Sequence, residues 1–246
     1  MIKTLHIGLD VGSTTVKIIV MDENLNTIYT DYQRHFSDTK NTVCSVLENL
    51  ISMYPDSEYT IALTGSGAIS ASKFLDLPFI QEVVSCKRAV EKYIPQTDVV
   101  IELGGEDAKI IYFDKFIEQR MNGTCAGGTG AFIDQMASLL NTDPAGLNEL
   151  AKSHKMIYPI ASRCGVFAKT DVQPLLNEVA AKEDIAASIF QAVVNQTISG
   201  LACGRPIRGN VAFLGGPLNY LSELRNRFIQ TLNLKDNEII IPDEAH

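Results

Sequence analysis

The chain has no cluster of Lys and Arg. Its 21 basic residues are scattered among 29 acidic ones, giving a formal net charge of −8. No stretch can neutralise a row of phosphates, which argues against a nucleic-acid or anionic-membrane surface. Any phosphate must therefore be held locally. No apolar run approaches the length of a membrane-spanning helix, and the short apolar strand before Asp10 lacks the build of a signal peptide, so the chain reads as cytoplasmic. A disulfide framework is missing too. The five cysteines, at 44, 86, 125, 164 and 203, are odd in number, widely spaced and in a chain too large to need staples, so reduced thiols or ligands are the better reading. The C-x-x-C runs of ferredoxins are also absent.

What is present is an internal repeat. The 246 residues, 46% hydrophobic, can bury a substantial core and form two lobes of ordinary size. The segment Leu9 to Asp22 returns in the same register at Ile101 to Asp114. Asp10, Gly12, Lys17, Ile18, Ile19 and Asp22 answer to Glu102, Gly104, Lys109, Ile110, Ile111 and Asp114. Each copy is an apolar run, a small-residue turn and a second apolar run, which is a β-hairpin with a polar tip.

The tips, Gly12, Ser13, Thr14 and Thr15 in one copy and Gly104 and Gly105 in the other, leave backbone N–H groups free to wrap an anion such as a phosphate. Two such tips would clamp a phosphate chain. Asp10 and Glu102, at the tip entrances, would repel phosphate directly and fit a role in holding hydrated Mg²⁺. Glu106 or Asp107 could orient an attacking water. Two ordinary hairpins would carry the same turn residues.

Further along, Thr39 to Met53 has helical spacing, with Val43, Val46, Leu47, Leu50 and Ile51 on one face and Pro55 after it. Tyr59 to Leu63 reads as a short buried strand delivering Thr64 to Gly67, taken as a plain connection. Glu82 to Tyr93 is a helix, and Pro95 marks a boundary between lobes 1–95 and 96–246. In the second lobe a strand, Phe116 to Met121, leads into the glycine-rich loop 122–130, and a helix resumes at about Ala131. Asp143 and Pro144 start another, and Pro174 is expected to open one more. Lys182, Glu183 and Asp184 begin a long amphipathic helix stopped by Gly204. Asn210 to Leu214 is a strand, Gly215 and Gly216 a tight turn, and Pro217 a helix start. Glu238 to Ile241 is a last strand.

Cys125 and Cys164 each sit beside glycine ahead of a helix, where the helix dipole favours a thiolate. A shared ligand role needs four thiolates, which two copies of the chain about a two-fold axis would supply. Spacing alone leaves that open against two unrelated cysteines. Cys44 and Cys203 fall on helices as packing residues, and Cys86 reads as a small buried one.

The motifs GLDVGSTTVKIIV at 8–20, IELGGEDAKI at 101–110, NGTCAGGTGAFIDQMA at 122–137 and FLGGPLNYLSELR at 213–225 resemble the BadF/BadG/BcrA/BcrD ATPase family, over essentially the whole chain. The resemblance is to activators of 2-hydroxyacyl-CoA dehydratases. Glu102 and Glu106, where the family commonly has Asp and Gln, and GGP where GGV is usual, point towards the long multidomain activase branch. The implied fold is α/β, with duplicated ribonuclease H-like lobes of the actin, sugar kinase and heat-shock chaperone ATPase superfamily. The implied cofactors are ATP or ADP with Mg²⁺, and a 4Fe-4S cluster on Cys125 and Cys164 shared between two subunits or homologous domains. Lys17 and Lys109 fall within the phosphate motifs. Gly215, Gly216 and Pro217, with Glu183, would enclose adenosine. Relatives continue past the equivalent of His246 into a small-residue helix packed on the first lobe, so the chain reads as a piece of a longer polypeptide.

The function so implied is ATP-driven transfer of one low-potential electron to a 2-hydroxyacyl-CoA dehydratase or related acceptor, by a homodimer or by paired domains of a longer parent. Two alternatives share the scaffold: a small-molecule kinase, and a nucleotide-switched binding module without a cluster.

Overall fold

The computed structural model describes residues 3–114, 116–122, 128–161 and 165–243. The chain forms two units, Met1–Tyr93 and Ile94–His246.

In the first unit, strands β1 (Lys3–Val11), β2 (Thr15–Met21) and β3 (Thr27–Arg34) form an antiparallel meander, and β4 (Ser57–Thr64) returns parallel to β1, giving the order β3-β2-β1-β4. Alternation sends Leu5, Ile7, Leu9, Val11, Val16, Ile18 and Val20 to one face, where they bury against Val46 and Leu50 of helix α1 (Thr39–Met53). Asp38 caps that helix by accepting from the Asn41 N–H. The expected apolar face of α1 is narrower than its spacing suggested, because Ile51 is exposed. Nor is β4 a buried strand. It is the last strand in the sheet order, and only Leu63 is fully covered. After β4 come a 3-10 turn (Ser66–Ala68), a short helix α2 (Ile69–Leu75) that periodicity did not announce, and α3 (Glu82–Tyr93).

The second unit repeats the meander with β5 (Val99–Leu103), β6 (Ala108–Phe113) and β7 (Ile117–Met121), and β8 (Val211–Leu214) lies parallel to β5. A two-residue strand, β9 (Ile239–Ile240), extends the order to β7-β6-β5-β8-β9. Helices α4 (Gly130–Leu139), α5 (Pro144–Ala151), α6 (Gly165–Asn177), α7 (Lys182–Thr197), α8 (Gly216–Tyr220) and α9 (Ser222–Leu232) complete it.

Helix α7 is the centre of the second core. Instead of a single apolar stripe it is buried nearly all round, from Asp184 to Val194, against α4, α5, α9 and the sheet. It continues as a π-helical turn (Ile198–Ala202), whose carbonyls at Leu201 and Ala202 accept from the Arg120 guanidinium. Lys182–Ala202 is apolar and long enough to cross a membrane, but 67% of its apolar stretch is buried inside the protein, as in a core helix.

Two other expectations change. Pro174 lies inside α6 instead of opening a helix, because the apolar stripe Ala168, Val172, Leu175 and Leu176 keeps helical spacing across it. Cys203 sits at the end of the π turn in the left-handed region, with φ 46°, and both it and Cys44 are exposed, so neither is a packing residue. Cys86 is half-buried.

Candidate functional site

The two hairpin tips are built alike. In the first, the Gly12 N–H donates to the Thr15 carbonyl at 2.9 Å, and in the second, the Gly104 N–H donates to the Asp107 carbonyl at 2.8 Å. Closing each tip in this way pairs Asp10 with Lys17 and Glu102 with Lys109 across the strands. Both lysines consequently turn onto carboxylates of their own hairpin. Lys17 Nζ lies 2.8 Å from Asp10 Oδ2, and Lys109 Nζ lies 3.0 Å from Glu102 Oε1 and 2.9 Å from Asp107 Oδ2. Lys109 is only 2% exposed. In the phosphate motifs the two lysines thus hold the carboxylates of their own hairpins in orientation. A lysine flanking the tip opposite an acid, in mirrored positions, is a signal the sequence did contain.

Asp10 keeps one oxygen out of this pair. Its Oδ1 is buried and without a hydrogen-bond partner, and so is Oγ1 of Thr64, its neighbour in register on β4. Unpartnered buried oxygens are costly unless something binds there. A carboxylate oxygen and a hydroxyl suit the water shell of a hard cation, so the residues present fit a hydrated Mg²⁺. Among the described residues no three His, Cys, Asp or Glu side chains gather as a metal cage. A cation at Asp10 would therefore keep most of its water.

Asp107 folds back on its own tip: a β-carbon placed on Gly104 would stand 2.0 Å from Asp107 Oδ1. Of the two acids expected to orient water, Glu106 is the exposed one.

The fourth strand of each unit ends in the same turn. Gly65 after β4 and Gly215 after β8 share φ 89° and ψ 152°, a region essentially reserved for glycine. A β-carbon at Gly65 would meet Asp10 Oδ1 at 2.3 Å and the Val11 carbonyl oxygen at 2.4 Å; at Gly215 it would meet the Leu103 carbonyl oxygen at 2.1 Å. Thr64 to Gly67 is thus the counterpart of the Gly215–Pro217 turn and not a plain connection. Aligned in register the two segments share only Gly65 and Gly215, which hid the kinship.

The second tip is tied to the helix that follows the glycine-rich loop. The Gly104 and Gly105 carbonyls accept from the N–H groups of Gly130 at 3.0 Å and Ala131 at 2.7 Å, and Gly130 also packs near Pro217. Glu183 lies half-buried in the first turn of α7. Beside it, Asp184 is buried and accepts from the N–H groups of Lys155 at 2.6 Å and Met156 at 3.1 Å, which hold its carboxyl below the usual range. Ser188 Oγ accepts from Tyr158 N–H at 2.8 Å and Asp171 from Ala161 N–H at 2.7 Å, so side chains of α7 and α6 fasten the strap 155–161. Cys125 and Cys164, the expected cluster ligands, lie outside the described residues.

Known proteins match the chain over nearly all its length. Residues 7–243 match the model of the BadF/BadG/BcrA/BcrD ATPase family. The chain is 34% identical over 217 residues to the (R)-2-hydroxyglutaryl-CoA dehydratase activating ATPase of Acidaminococcus fermentans, covering 85% of this chain and 82% of that one. It is 30% identical over 243 residues to the 2-hydroxyisocaproyl-CoA dehydratase activator of Clostridioides difficile, covering 96% of this chain and 88% of that one. A solved structure of an activator of 2-hydroxyisocaproyl-CoA dehydratase from Clostridium difficile, with bound ADPNP, superimposes with a TM-score of 0.85 at 28% identity, covering 99% of this chain and 90% of that one. With the repeated hairpins, the paired glycine turns and a family match over nearly all its length, the chain belongs to the BadF/BadG/BcrA/BcrD ATPase family.

Proposed function

We propose that this ATPase activates a 2-hydroxyacyl-CoA dehydratase or a related acceptor by passing it one low-potential electron, with ATP hydrolysis timing the transfer. Asp10 is the carboxylate that would hold hydrated Mg²⁺ at the first hairpin, kept in orientation by Lys17, as Glu102 is kept by Lys109 in the second. Because the Gly12 and Gly104 N–H groups close the tips on Thr15 and Asp107, the donors for a phosphate are the later N–H groups, Ser13 in the first tip and Gly105 in the second. Gly215, Gly216 and Pro217, with Glu183, serve the adenosine, where the two glycines let backbone approach a flat ring closely. Glu106 is the carboxylate available to orient the attacking water, and positioning with charge neutralisation is the greater part of phosphoryl-transfer catalysis.

A 4Fe-4S cluster held by Cys125 and Cys164 of two copies, or of paired domains, would supply the electron. The observation that carries the coupling is the pair of hydrogen bonds from Gly130 and Ala131 to the Gly104 and Gly105 carbonyls. A change of nucleotide at that tip bears directly on the helix that begins five residues after Cys125. The strap 155–161 is fastened by Asp184, the residue after Glu183, and ends three residues before Cys164 in the chain. Two arrangements of these elements, biased by ATP or ADP, are what a nucleotide-timed donor needs.

The test is anaerobic. Reduced protein mixed with a 2-hydroxyacyl-CoA dehydratase is expected to lose its paramagnetic signal only when MgATP is supplied and hydrolysed. Transfer at the same rate with ADP contradicts the proposal, and phosphorylation of a small molecule instead would favour the kinase.

A further inference from the structure

We propose that His35 is a positioning residue for the first hairpin tip, fixing its backbone so that the Ser13 N–H is presented to a phosphate of the bound nucleotide. This rests on the reading of that tip as a phosphate site. His35 is 6% exposed and lies behind the tip, in the connection between β3 and α1. Its Nε2 is 3.2 Å from the Gly12 carbonyl oxygen, and its backbone N–H donates to the Thr14 carbonyl at 3.1 Å. Its Nδ1 accepts from the Ser37 N–H at 3.1 Å, with Thr39 Oγ1 at 3.3 Å. An Nδ1 that accepts places the ring proton of the neutral imidazole on Nε2, where it can be donated to Gly12. One side chain thus links the tip to the turn that opens α1.

The chain adopts uncommon geometry to put it there. Phe36 and Ser37, with φ 45° and 70°, are consecutive left-handed residues bearing side chains, and Phe36 is 82% exposed. Such backbone persists where surrounding contacts over-determine it, and it clusters at functional sites. Here the contacts are the Ser37 bond to the ring and the Asp38 N–H bond to the His35 carbonyl at 2.7 Å.

The duplicated hairpin shows what the contact achieves. Gly104 is the counterpart of Gly12, and its carbonyl is held as well, by the Gly130 N–H at 3.0 Å. The same carbonyl is anchored in both copies, by a helix start in one and by an imidazole in the other. Across a trans peptide, C=O and the following N–H point in opposite directions. Anchoring the Gly12 carbonyl on buried His35 therefore turns the N–H of exposed Ser13 away from the core.

Two amide variants separate the bonds. His35→Asn keeps an acceptor near the Nδ1 position but cannot reach Gly12, whereas His35→Gln carries an N–H donor out to about the Nε2 position. Titration calorimetry with MgATP should show affinity weakened roughly tenfold in His35→Asn and restored to within about threefold of wild type in His35→Gln, the factor expected for one hydrogen bond. Equal affinities in the two variants, with equal melting temperatures, overturn the positioning role while leaving the phosphate site intact. Wild type that binds no ATP removes both together.

Discussion

Asp10→Ala is expected to hydrolyse MgATP at least about a hundredfold more slowly than wild type and yet to melt no lower, the range seen when one preorganised charge-stabilising group is removed. The loss follows from the cation: without Asp10 no carboxylate holds hydrated Mg²⁺ at the first hairpin. Retained stability follows from the burial of an unpartnered Oδ1, because a buried polar atom without a partner costs about 1–3 kcal/mol. The Lys17 pair that is lost with it involves side chains 28 and 22% exposed, and such ion pairs contribute about 0–1 kcal/mol. The balance lies between neutral and stabilising, as at sites where function is kept at the expense of stability. Phosphate release and calorimetric melting check both halves. Hydrolysis within a few-fold of wild type would remove Asp10 from the machinery, and a large fall in melting temperature would make it a structural residue.

Gly65→Ala should lower the melting temperature by about 6 °C or more, and Gly215→Ala by a similar amount. At each position the alanine must occupy backbone space essentially reserved for glycine, and its β-carbon would stand 2.1–2.4 Å from a main-chain oxygen. Relief requires moving a central strand, at a cost of about 3 kcal/mol, which is roughly this shift for a chain of this size. Equal penalties at the two sites would reflect their equal geometry. Gly65→Ala with unchanged melting would mean that the β4 turn is not held against Val11 as described. Both variants should also lose ATP binding, since each turn lies against a tip-bearing strand.

Much of this architecture is legible in the sequence, and what is not has physical reasons. The repeat of Leu9 to Asp22 announces both hairpins because strand alternation and turn glycines are local signals, and α1 and α3 follow from helical spacing. Helix α2 does not, because seven residues with Phe74 and Leu75 exposed and no capping side chain leave no periodic trace. The kinship of Gly65 with Gly215 is hidden for another reason. It depends on Asp10 facing Thr64 and Glu102 facing Leu214 in parallel pairs, and parallel register is set by contacts distant in sequence. His35 is invisible for the same cause: a lone histidine after a strand has no motif, and its role appears only where Gly12 lies against it. Residues that flank a tip can be read, while those that brace it from another element cannot.

The electron-donor account turns on iron. Each chain offers two candidate thiolates, so one cluster demands two chains or two homologous domains, and iron loading must be coupled to pairing. The direct measurement is anaerobic reconstitution with iron and sulfide, followed by iron counting and sedimentation of wild type, Cys125→Ser and Cys164→Ser. The account predicts about four irons per dimer for wild type, and a monomeric, iron-free protein for either variant. Wild type that stays monomeric and without iron, in a chain that still hydrolyses ATP, would contradict it.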